Sequence, residues 1–135
     1  MSRRLARQIA FQTLFQIDLA KSSTEDSLQQ RLSDVVLAPD DEQYVYRAVR
    51  GVKEQMNAIN AQISAVSKDW EIGRLGTVDR NILRLAVYEI VFMDDIPVRV
   101  SINEAVELAK EFGDRNSPRF INGVLGTVVR DGGFQ

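Results

Sequence analysis

The sequence has 135 residues, 44% hydrophobic and 27% charged, with a net charge of −2 and a pI near 5.2. It contains neither cysteine nor histidine, which excludes disulfides, Cys or His zinc sites, and any Cys nucleophile or His general base. The strongly basic footprint of many nucleic-acid binders is also missing, so any such contact has to come from a local patch.

Residues 4 to 20 read as a first helix, with Leu5, Ala6, Ile9, Ala10, Thr13, Leu14 and Ile17 on one face. The opposite face carries Arg4, Arg7, Gln8, Phe11 and Phe15. Arg3, Arg4 and Arg7 form a basic patch without an acid among them. The two phenylalanines on the polar side must pack on another element or on a partner, and internal packing is the simpler expectation for Phe11. Ser23 is expected to cap a second helix over about 25–37 that turns Leu28, Leu32, Val35 and Val36 inward and ends at Pro39. Asp40, Asp41 and Glu42 open a third helix, complementing its positive N-terminus. Apolar spacing from Val45 to Val66 predicts that this helix continues unbroken. Trp70 is expected to cover the core. Gly73 and Gly76 bracket a short helical turn.

Val78 to Met93 is the most apolar segment and reads as the central helix, with Glu89 inside its apolar stripe. A buried carboxylate needs hydrogen-bond donors or a cation, so Glu89 is expected to be an anchor and not a catalytic acid. Ser101 and Glu104 match a capping box for the next helix, which Gly113 ends. Ser117 and Pro118 start the last helix as N-cap and first residue. Asn122-Gly123 is a hairpin signal in isolation. The apolar spacing of Phe120, Ile121, Val124, Leu125, Val128 and Val129 is helical instead, so Gly123 and Gly126 are expected at close helix contacts. Gly132-Gly133 ends the helix. The reading is an all-α chain of six to seven helices.

No phosphate-binding loop, dinucleotide fingerprint or Glu-x-x-His metal pattern is present. No catalytic site, metal site or cofactor is expected. No apolar run is long enough to span a bilayer. The basic start lacks the continuous apolar stretch of a secretory signal, and the chain reads as cytoplasmic.

Three segments together resemble the NusB family. They are the arginine-rich start running through Ala10-Phe11-Gln12-Thr13-Leu14-Phe15, the stretch Val78 to Glu89, and Ile102-Asn103-Glu104-Ala105-Val106-Glu107-Leu108-Ala109-Lys110 with Phe120-Ile121-Asn122-Gly123-Val124-Leu125. The resemblance implies two small packed helical bundles within a single domain over 1–135, divided at about 3–66 and 67–132. It implies binding of single-stranded boxA-type RNA of ribosomal transcripts, together with the ribosomal protein NusE, within an RNA polymerase antitermination complex. It places Arg3, Arg4, Arg7 and Phe120 at RNA-contacting positions, and Phe15 and Asp79 on the NusE-facing surface. The loop before Phe120, residues 114–119, is more basic than the family pattern, and Arg119 joins the RNA set.

Two other readings stand beside this one. The same helical pattern resembles the N-terminal RNA-binding domain of a ribosomal RNA cytosine methyltransferase. That enzyme needs a Rossmann-like catalytic domain and a nucleophilic cysteine, so this reading is expected to fail if the sequence is complete. A helical scaffold that binds only protein would leave the three arginines as a solvated face.

Overall fold

The structure is a computed structural model and describes residues 2–67 and 72–134. Within them lie seven α-helices, one 3₁₀ turn and no strand. The helices are α1 (Ser2–Ala20), α2 (Thr24–Ser33), α3 (Pro39–Glu54), α4 (Met56–Val66), α5 (Thr77–Phe92), α6 (Val98–Phe112) and α7 (Ser117–Gly132), with the 3₁₀ turn at Ile72–Arg74. Trp70 lies outside the described residues.

α5 is the axis of the fold. Every residue from Asn81 to Ile90 is buried, and α1, α3, α4, α6 and α7 all pack against this helix. A helix touched on all sides has no polar face to spare, which explains why apolar residues occur all round it from Ile82 to Ile90. Its polar residues Asn81, Arg84 and Glu89 are therefore paired inside the protein. One contiguous apolar core links all the helices, from Ala6 and Ile9 of α1 to Leu125 and Val128 of α7.

Local signals explain some of the helix ends. The Ser23 hydroxyl accepts a hydrogen bond from the Asp26 backbone N–H at 3.3 Å, as its N-cap role requires. Gly133 closes α7 in the left-handed region at φ 72°. Asn122 and Gly123 lie within α7.

Several expectations are corrected. α2 stops at Ser33, and Pro39 begins α3 at its first turn, where a missing N–H costs nothing. Val36 lies in the intervening loop, 98% exposed. The long third helix is broken at Gln55, yet Val52, Ile59 and Ile63 on either side remain buried, so the apolar spacing runs through the break. α6 starts at Val98 behind Pro97, one turn before the expected cap, and Ser101 is a buried residue within it. Asn116 occupies the N-cap position of α7, with Ser117 and Pro118 one place further in. Gly123 and Gly126 are exposed, and a Cβ on either would meet nothing within 4 Å. The close approach falls instead at Gly51 of α3, where a Cβ would run into the Tyr88 ring.

Candidate nucleic-acid interface

α1 starts with three arginines and no acid in its first turn. Cations at a helix N-terminus oppose the helix dipole. The compensating carboxylates come from three other helices. Arg3 Nε donates to Asp41 of α3 at 3.0 Å. Arg4 donates through Nε and Nη2 to both oxygens of Glu104 on α6, at 3.0 and 2.7 Å. Arg7 donates through the same two nitrogens to both oxygens of Glu89 on α5, at 2.9 and 3.2 Å.

These pairs differ in their exposure to water. The Arg4 guanidinium lies on the surface and Arg3 is half-buried. Arg7 is only 5% exposed, which corrects its reading as a surface arginine beside Arg4. Phe11, placed on the same polar face by the helical wheel, is also buried and packs on Phe112 at 5.1 Å between ring centres. Leu5, assigned to the inner face, is exposed. The true inner face of α1 is thus rotated toward Arg7 and Phe11.

Glu89 is 1% exposed and fully bonded. Besides Arg7 it accepts from the Ser101 hydroxyl at 2.8 Å and from the Tyr44 hydroxyl. Burial pushes the Tyr44 hydroxyl well above its ordinary pKa, and the charge of Glu89 adds to that shift. The arginines also meet this tyrosine, with the Arg3 and Arg7 guanidinium carbons 4.9 and 5.6 Å from its ring centre. The buried network thus reaches Arg3 through the Tyr44 ring, while the Arg4 fork is held by Glu104 alone among the described residues. Arg3, Arg4, Arg7 and Glu104 border one shallow depression.

A second patch gathers at the start of α7. Phe120 is half-buried and Arg119 is exposed. Phe120 and Asp79 line a depression of about 300 Å³ with Arg74, Leu75, Asp114 and Asn116. Burial raises the Asp79 pKa above its ordinary value, Asp114 adds to the rise, and Ser117 opposes it by hydrogen bonding. Phe15 is half-buried, its ring centre 6.1 Å from that of Phe11. The structure thus brings Phe120 and Asp79 together and leaves Arg3 and Arg4 in a separate depression.

Sequence reasoning missed Asp41 and Glu104 as partners of the arginines. Asp41 was assigned to the helix dipole and Glu104 to a cap, and they lie 38 and 100 residues from Arg3 and Arg4. Nothing local in the sequence carries that pairing.

The chain is a small all-helical protein with an arginine-bearing face. The chain belongs to the NusB family, whose model matches residues 4–130. It is 44% identical over 129 residues to the transcription antitermination protein NusB of Desulforamulus reducens, covering 96% of this chain and 90% of that protein. The structure of T. maritima NusB is similar at a TM-score of 0.91 and 37% identity, covering 97% of this chain and 92% of that one. A chain in a crystal structure of the antitermination factors NusB and NusE with double-stranded RNA is similar at 0.87 and 27% identity, covering 96% and 97%. The name these relatives carry is that of an antitermination protein and not of an enzyme, and no helix among the described residues is long and apolar enough to cross a membrane.

Proposed function

We propose that this chain is a cytoplasmic transcription antitermination factor that binds the boxA RNA of ribosomal transcripts together with NusE. In this reading the complex helps RNA polymerase pass terminators. The observation that carries it is the near full-length likeness to the chain crystallised with NusE and RNA. Arg3 and Arg4 grip phosphates, since a guanidinium fork offers paired donors to an oxyanion. Arg119 adds charge at the start of α7, where the Phe120 ring offers a stacking surface to an unpaired base. Arg7 acts from within the fold, through its buried pair with Glu89. Phe15 and Asp79 face NusE.

The test is RNA binding by fluorescence anisotropy, with and without NusE. A boxA-like single strand, a scrambled single strand and a duplex are compared. The reading expects NusE to tighten binding, and the boxA strand to bind better than both alternatives. Equal binding of all three RNAs, or no effect of NusE, overturns it. A chain that binds NusE but no RNA is a protein scaffold.

A further inference from the structure

Near the far end of α1 from Arg3 and Arg4, two guanidinium groups share one carboxylate oxygen. Arg80 Nε and Nη2 both lie 2.8 Å from Asp18 Oδ2, and Arg84 Nη1 lies 3.4 Å from the same atom. Asn81 donates to that oxygen as well, at 2.9 Å. The other oxygen, Oδ1, stands 3.8 Å from the Lys21 ammonium. Among the described residues, a single negative charge therefore serves three cations. Burial alone would raise the Asp18 carboxyl, but the hydrogen bonds of Asn81 and Arg80 and the two arginine charges hold it below the usual range.

The surplus charge opens onto a cavity of about 230 Å³. Arg84, Lys21 and Lys53 line it, and Asp18 is the only acid among the described residues that line it. Arg84 is 9% exposed; its Nε donates to Asn60 at 3.1 Å, and Nη2 has no hydrogen-bond partner among the described residues. Lys53 has neither an ion pair nor a hydrogen bond among those residues, and the Ser22 hydroxyl at the rim has no partner there either. Burial lowers the Arg84 pKa from its ordinary value and the Arg80 charge adds to the effect, while Asp18 opposes it. A nearly buried cation with an incomplete set of anions is costly to the fold, and an incoming anion relieves that cost.

We propose that this cavity binds a phosphate group, held by Arg84, Lys21, Lys53 and the Ser22 hydroxyl. Four separate donor groups suit a tetrahedral oxyanion, whose oxygens point in as many directions; a carboxylate has only two. The site lies about 20 Å along α1 from Arg4, at 1.5 Å of rise per residue, and is separate from the arginine face. Its phosphate belongs either to an RNA backbone or to a free phosphate or phosphomonoester.

The experiment titrates the full chain with inorganic phosphate, with potassium chloride added to hold ionic strength constant. Backbone amides and the Arg84 Nε–H are followed by NMR. Saturable shifts are expected at residues 18, 21, 22, 53 and 84. The exposed lysine variants Lys21→Met and Lys53→Met should each weaken the midpoint at least threefold, and the double variant should lose saturation while keeping its dispersed spectrum. Shifts that fail to saturate, that map elsewhere, or that persist unchanged in the double variant overturn the site. A second arm identifies the phosphate source once binding is seen. If RNA is the source, the double variant binds RNA more weakly, and its plot of log K against log salt is flatter by roughly 1.4, at about 0.7 per lost contact. If the source is a free phosphate, RNA binding is unchanged in the double variant. Neither arm depends on Arg4, so failure of the RNA reading at the arginine face is seen separately.

Discussion

Arg4 and Arg7 stand three residues apart on one helix, and each forms a two-pronged pair with a glutamate. Their surroundings make them different experiments. Arg4→Ala removes a surface fork; it should leave the denaturation midpoint in place, weaken RNA binding and flatten the salt dependence by roughly 0.7. An unchanged affinity and slope would remove Arg4 from the RNA face. Arg7→Ala strands a buried carboxylate and should cost about 3–5 kcal/mol in urea unfolding, as should Glu89→Ala from the other side. A midpoint within error of the parent would contradict the anchoring role of the pair. Glu104→Gln is the informative counterpart: its carboxylate competes with phosphate for Arg4, so its neutralisation should tighten RNA binding without new contacts. Asp79 works the other way in stability. Its folded pKa is raised, so the ionised form is disfavoured in the native state, and stability falls as pH climbs from the ordinary Asp range through the folded value. Asp79→Asn should therefore raise the melting temperature at pH 7; a loss would mean the charge is paired more favourably than burial suggests.

At the scale of helices, periodicity was informative where a face is wide and uninterrupted. α5 and α7 were legible for that reason, and the apolar spacing of α7 outweighed the Asn122-Gly123 turn signal. Helix ends were legible only where the cap is local. Ser23 and Gly133 are local devices and were readable. Ser101 imitates a cap, but its hydroxyl is directed at Glu89, twelve residues away on α5, and no pattern along the chain records that. The same holds for Gly51, whose missing side chain is matched by the Tyr88 ring of another helix. Of the candidate site, Arg3, Arg4 and Phe120 could be picked out by residue type and resemblance; their acidic partners could not. Gly51→Ala tests the α3–α5 contact: it should destabilise by about 1–3 kcal/mol through forced displacement of the ring, while Gly123→Ala on the open face of α7 should stabilise slightly. Equal effects at the two glycines would mean that Tyr88 moves aside freely.

For the molecule as a whole, Asp18 joins the end of α1 to α5 through Arg80, Asn81 and Arg84. Its folded pKa is depressed, so its contribution is fully present above the ordinary Asp range and disappears as pH falls through that range toward the folded value. Asp18→Asn should flatten the acid limb of the stability curve, measured by urea unfolding between about pH 3 and 6, and an unaltered limb would show that the cluster adds no pH dependence. The all-round burial of α5 has a further consequence, for the way the protein opens. A surface helix detaches by losing one face, so its amides exchange with deuterium through partial unfolding. α5 has no such face, and freeing it requires α1, α3, α4, α6 and α7 to separate first. Its central amides, from Ile82 to Ile90, should therefore be the slowest to exchange and should share a single opening free energy equal to that of global unfolding, with the amides of α2 exchanging well before them.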